Sequence, residues 1–238
     1  MGLFGKIKIN KILTPQERRN NTIEQLKKSG ITYNLRLPLL EPGEAICLKS
    51  TEEIEKRCLG SMLFIQLACS INNGENYADA LSFVMQYLER WHISIDDLLL
   101  KERLLIRNKH TVKDCTDELT KLDIIDIVWT YETYWSLIWA LNLITDKELK
   151  NASNTCNTER AMAISQLIPQ QISKLRNVER ILDMLDLFYC CHWACVEKSL
   201  RPATATGKLN PEVVYKRRRG LEWLVSDEKD WNNISLDT

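Results

Sequence analysis

A chain of 238 residues can bury roughly 70–75% of the surface it exposes when unfolded, so neither a metal nor disulfides are needed to hold it together. Its 8 Gly and 6 Pro are about half the usual share, which disfavours a turn-dense β-sandwich and suits long helices. Lys plus Arg and Asp plus Glu balance at 32 each, so no overall field favours a nucleic-acid or membrane partner.

The opening MGLFGKIKINKIL lacks a continuous apolar run and a small-residue cleavage site, so residues 1–13 read as a basic, partly disordered leader rather than a secretory signal. Gly2 does not make a myristoylation site, because Lys6 stands where that motif wants Ser or Thr. Thr14 and Pro15 supply an N-cap and a first-turn proline, and Gly30 a stop, for a first helix over 15–29. Residues 31–48 hold Pro38 and Pro42 and no helical period, which predicts an extended connector, with room for a short strand pair. Ser50 to Glu53 form a capping box that opens a helix to about Ser70, burying Ile54, Cys58, Ser61, Met62 and Ile65. A turn at NNGEN leads to a helix over Tyr77–Trp91, with Ala80, Leu81, Val84, Tyr87 and Leu88 at three-four spacing, packed antiparallel on its predecessor. Another helix is expected from Ser94 or Asp96, followed by the polar link RNKHTVKDCTDELTK.

The run Leu122–Leu143, LDIIDIVWTYETYWSLIWALNL, is nearly all apolar and carries Glu132 in its middle. On one continuous helix, Ile125, Val128, Trp129, Trp135, Trp139 and Leu143 lie within about 60° of that acid. An unpaired carboxylate there costs several kcal/mol, so Glu132 must be neutral or held by Arg or His. A capped turn, a short helix ended by Pro169, and a helix of about 23 residues capped by Asn177 follow. Asn210-Pro211 opens the last helix, PEVVYKRRRGLEWLV, and Trp231 anchors the tail.

On the helix after Asn177, one face collects Glu179, Asp183, Asp186, Tyr189 and Trp193, and the other Phe188, Cys191, His192 and Cys195. The acids can clamp arginines or serve a ligand, and Arg217, Arg218 and Arg219 offer partners for Glu132, Asp183 or Asp186. Cys191, His192 and Cys195 have ligand-like spacing, but they sit among apolar neighbours where cysteine behaves as a small hydrophobe, so no metal is assigned. Adjacent Cys191 and His192 project about 100° apart and cannot form a nucleophile–base pair. The eight cysteines show no framework spacing and read as reduced thiols of a cytoplasmic protein.

LKSTEEIEKRC, WTYETYWSLIWALNL, LRNVERILDMLDLFYCCHWACVE, LNPEVVYKRRRGLEWL and WNNISLDT, taken in order, resemble the largely bacterial domain-of-unknown-function family 4272 over about residues 14–238. The resemblance implies a mainly helical fold with no established activity. By likeness of motif, the family's recurring polar positions fall on Glu132, Asp183, Asp186, Tyr189, His192, Trp193, Arg217 and Asp237-Thr238. The chain departs at Cys190, where the family usually has arginine, and at Lys216, where it usually has glutamate.

These readings combine into an all-α protein, one multi-helix domain over 14–238 with about seven to nine helices. The sequence holds no complete catalytic constellation and implies no cofactor. The expectation is a non-enzymatic interaction module with an unknown protein partner; an immunity or defence-accessory role fits it. The alternative is an enzyme or small-ligand binder with a pocket lined by Glu132, Asp183, Asp186, Tyr189, His192 and Arg217, which with Trp193 and Arg218 make up the candidate polar network or ligand-binding set.

Overall fold

In the computed structural model, residues 12–107, 118–170 and 174–238 are described. Most of the leader, much of the polar link before Leu122, and Cys115 therefore lie outside the described residues.

Among the described residues ten α-helical segments follow one another: α1 Pro15–Lys28, α2 Thr51–Asn72, α3 Tyr77–Arg90, α4 Leu100–Arg107, α5 Glu118–Val128, α6 Thr130–Ala140, α7 Asp146–Lys150, α8 Thr158–Leu167, α9 Val178–Leu200 and α10 Pro211–Leu224. Counted as one run interrupted at Trp129, α5 and α6 bring the number to nine. The protein is all-α: among the described residues the extended pairing is limited to one isolated antiparallel bridge between Ile31 and Thr206.

Local chemistry places most of these boundaries. Thr14, Ser50 and Thr145 each accept a hydrogen bond from the third helical amide while a glutamate reaches back, so α1, α2 and α7 open on capping boxes. Asn76, Asn157, Asn177 and Asn210 cap α3, α8, α9 and α10 through their side-chain oxygens. Gly30 ends α1 with φ 63°, a left-handed turn that glycine enters without steric cost.

Several boundaries differ from the sequence expectation: α5 already begins at Glu118, inside the expected polar link, and the capped turn expected after Leu143 forms the short helix α7. The helix expected from Ser94 starts at Leu100, because Asp97 bonds back to the Ser94 amide and hydroxyl and closes a separate 3-10 turn at Ile95–Asp97. The central run is not one helix to Leu143. At Trp129 the register tightens, with the Glu132 amide donating to the Trp129 carbonyl at 3.1 Å, while the Thr130 hydroxyl donates to Asp126 O. Asn142, at φ 61°, then terminates α6: its amide donates to Trp139 O and that of Leu143 to Ile138 O, both at 2.9 Å, the paired bonds of a Schellman stop. Ile125 consequently falls outside the stripe predicted for it and is 51% exposed.

The helices pack as a succession of neighbours: α3 on α2, α2 on α5 and α6, α6 on α10, α10 on α9, and α9 on α1. One continuous apolar core runs through them. α2 is buried on nearly all sides between Ile54 and Ala68, as a helix with neighbours all round must be. The connector 31–50 wraps the outside. It is tied by the Thr32 amide to Ala205 O at 2.8 Å, by Arg19 to the carbonyls of Leu37 and Pro38, and by the Lys49 amide to Leu224 O.

The α6–α10 crossing depends on Gly220. A Cβ there would stand 2.8 Å from the Thr133 carbonyl oxygen and 2.9 Å from Ser136 Cβ. Beside it, the hydroxyls of Thr133 and Ser136 donate to the carbonyls of Lys216 and Arg217 at 3.2 and 2.9 Å. Because a helix backbone blocks the extra methyl, Gly220→Ala is expected to destabilise the fold by about 1–3 kcal/mol. Thermal denaturation checks this, at about 2–4 °C of melting temperature per kcal/mol; an unchanged midpoint would show that the crossing has slack.

Candidate functional site

Glu132 lies in the first turn of α6 and is 2% exposed. Its Oε2 accepts from Nε and Nη2 of Arg217, both at 2.8 Å, and its Oε1 accepts from the Cys156 amide at 2.6 Å. Arg217 spends its remaining donors on the carbonyls of Leu149, Asn151 and Asn154, at 2.6, 2.8 and 3.5 Å. The pair therefore fastens the whole segment between α7 and α8 to the α6–α10 crossing. Every charged atom is met inside the protein, which is what makes burial of two charges tolerable.

Asp183 and Asp186 are not held by the arginines of α10. Their partners come from α1: Arg18 Nε donates to Asp183 at 3.2 Å and Nη2 to Glu179 at 2.5 Å, while Arg19 holds Asp186 through Nε at 3.0 Å and Nη2 at 2.8 Å. Glu179, Asp183 and Asp186 rise along one line of α9, spaced four and three apart, so adjacent arginines on α1 can take them in turn. Burial is the largest influence and works against the Arg19 charge, but the hydrogen bond to Asp186, with the charges of Asp186, Cys190 and Tyr189, together outweighs it and leaves the guanidinium pKa raised.

Higher on α9, Tyr189 lies between two guanidinium groups, with Arg218 4.5 Å and Arg19 5.7 Å from its ring centroid. Arg218 Nη1 contacts His192 Nδ1 at 2.7 Å, and the same side chain holds Glu222 and the carbonyls of Leu236 and Asp237. Trp193 is half-buried against the core. The predicted site residues thus form two groups: Glu132 with Arg217, and a line along α9 in which Arg18 takes Asp183, Arg19 takes Asp186 and lies over Tyr189, and Arg218 of α10 takes Tyr189 and His192. The two groups run to separate partners, Arg217 to the segment after α7 and the arginines of α1, with Arg218, to α9.

Lys216, the neighbour of Arg217, turns to Asp126 of α5, which also receives Lys101. Burial raises the Asp126 carboxyl pKa, and the two lysines together hold it below the usual range. The thiols of Cys190, Cys191 and Cys195 are buried and free, and desolvation raises all three, Cys190 to about 12. Among the described residues no cluster of three or more His, Cys, Asp or Glu is arranged to hold a metal, and no helix is long and apolar enough to cross a membrane.

The sequence reading missed four buried charges: Arg18, Arg19, Arg57 and Glu102. Arg57 donates to Glu102 at 2.5 Å and lies 5.1 Å from the Trp231 ring, tying α2, α4 and the tail together. A signal for the first two was available, since Arg18 and Arg19 stand one turn before Thr22 and Ile23 on the face of α1 that also carries Leu26.

The family model described as "Domain of unknown function (DUF4272)" matches residues 18–234, a span that takes in both charge groups and every helix from α2 to α10. This chain belongs to the DUF4272 family. Neither a curated protein nor a solved structure matches it. In this DUF4272 member the matched span begins at Arg18, so the partners of Asp183 and Asp186 fall inside the family domain.

Two outcomes test these networks. Glu132→Gln keeps the shape but removes the charge that Arg217 faces, and is expected to lower stability by about 1–4 kcal/mol in urea denaturation. An unchanged midpoint would remove the case for a buried ion pair. His192 supplies a pH dependence: burial, then the charges of Arg218 and Arg219, push its pKa down to about 4. With an unfolded value near 6.5, the unfolded chain binds the proton first. The neutral ring's contribution is complete above pH about 6.5 and declines as pH falls toward 4, by roughly 3 kcal/mol in full. Because carboxylates titrate in the same window, the check is the difference between wild type and His192→Gln, whose acid limb is expected to be shallower.

Proposed function

We propose that this DUF4272 protein is a non-enzymatic, cytoplasmic interaction module that recognises a protein partner through its α2–α3–α8 face. The observation that carries this reading is a groove of about 680 Å³ lined by Phe83, Tyr131 and Met162 among others. Phe83 and Met162 are 44% and 39% exposed, large apolar side chains held open to solvent beside the acids Glu75 and Asp79. Exposed apolar surface with a charged rim is the usual chemistry of a partner site, and the acids favour a segment with apolar anchors and basic flanks.

An enzymatic pocket built on Glu132 and Arg217 has less support, because their charged atoms are committed to one another and to backbone groups. Catalysis needs at least one such group left free for substrate.

The test compares wild type with Phe83→Asp/Met162→Asp in quantitative affinity capture from host extract, followed by calorimetry with each purified candidate. The expected result is a partner retained by wild type and weakened at least tenfold by the double variant, with the circular dichroism spectrum unchanged. Equal capture by both proteins would refute the assignment of this face.

A further inference from the structure

A second feature lies on the opposite flank of the succession, where α9 packs on α1. There a cavity of about 170 Å³ is lined by Arg18, Lys150, Arg180 and Asp183, with polar atoms of Asn21 and Gln25. Arg18 is 1% exposed. Its Nε and Nη2 are taken by Asp183 and Glu179, but its Nη1 is buried and meets no acceptor among the described residues. A buried guanidinium donor left unmet costs free energy that an anionic acceptor would recover.

The charge tally points the same way. Arg180 and Arg176 share Asp146, and Lys150 donates to the neutral amide oxygen of Gln25 at 2.8 Å. The lining itself carries three cations, Arg18, Lys150 and Arg180, against the one carboxylate of Asp183, while Glu179 and Asp146 hold Arg18 and Arg180 from outside the lining.

The cavity also has an apolar neighbour. A space of about 540 Å³ shares Gln25 and Lys150 with it and is lined further by Leu26, Leu187 and Leu209. Its wall includes Asn151 and Ala152, part of the segment that Arg217 and Glu132 fasten in place. The anion-facing end and the apolar end are therefore preformed by the core rather than left to a mobile loop.

We propose that the paired cavities bind a small organic anion. Its phosphoryl or carboxylate head accepts from Arg18 Nη1, with Lys150 and Arg180 completing the charge match, and its apolar body lies along Leu26, Leu187 and Leu209. Arginine suits such a head because its planar fork meets two oxygens at once. This site is separate from the groove at Phe83 and does not depend on the partner reading.

The experiment uses the full chain in calorimetry at constant ionic strength, with inorganic phosphate, phenyl phosphate and benzoate as probes. Saturable binding of phenyl phosphate or benzoate is expected, tighter than that of inorganic phosphate, and the better of the two identifies the head group. Lys150 and Arg180 are exposed residues, so Lys150→Gln/Arg180→Gln is expected to fold normally and to weaken the organic probe at least tenfold. Leu209→Ser should weaken the organic probe alone and leave inorganic phosphate unaffected. Absence of saturable binding by all three probes, or affinity indifferent to the double variant, would overturn the site. Equal affinity for inorganic phosphate and both organic probes would overturn the role of the apolar cavity.

Discussion

A carboxylate placed in an apolar helix must be matched, and the structure of this protein follows from how Glu132 is matched. Arg217 reaches it across 85 positions of sequence, which forces α10 onto α6 in one rotation and one register. The same guanidinium collects the carbonyls of Leu149 and Asn151, so the ordering of the α7–α8 segment comes with the pair. Replacing two buried charges by apolar residues often leaves a protein as stable or more so. The pair is better understood as fixing which arrangement forms than as adding net stability.

The basic run of α10 extends that logic. Consecutive helical residues point about 100° apart, and Lys216, Arg217 and Arg218 go respectively to Asp126 of α5, Glu132 of α6, and His192 of α9. Three neighbours in sequence thus contact three different helices. A shift of α10 by one residue would leave each of these buried groups facing the wrong partner. Gly220, one turn further on, lets the backbones approach closely enough for the contacts to form. On the other side of α9, Arg18 and Arg19 do the same for α1, with one arginine for Glu179 and Asp183 and the next for Asp186.

Much of this was legible in the residues because it is local. The caps at Thr14, Ser50, Asn177 and Asn210 depend on side chains within three positions of the amides they satisfy, so the helices they start were readable to within a residue or two. The need of Glu132 for a cation was equally plain, since it follows from an acid set among Trp135 and Trp139. The choice among cations was not, because nothing in a helical wheel says which distant helix will be adjacent. The arginines of α10 form a conspicuous cluster and so stand out as candidate partners for Glu132, Asp183 or Asp186, whereas Arg18 and Arg19 sit in a helix rich in polar residues. The break at Trp129 carries neither proline nor glycine; it rests on a shift of hydrogen bonds from four-residue to three-residue spacing. The two cavities beside Lys150 come from the meeting of α1, α9 and two loops, and no stretch of the chain encodes them alone.

The distance in sequence between Glu132 and Arg217 also bears on how the protein is made. Chains emerge from the ribosome at roughly 5–20 residues per second, so the acid leaves the tunnel several seconds before the base that will neutralise it. Until then α6 presents Trp135 and Trp139 beside a charge that burial would strand, and the apolar run is discouraged from collapsing on whatever lies nearest. The α6–α10 contact, with both of its buried charges paired, can therefore be completed only after Arg217 has been translated.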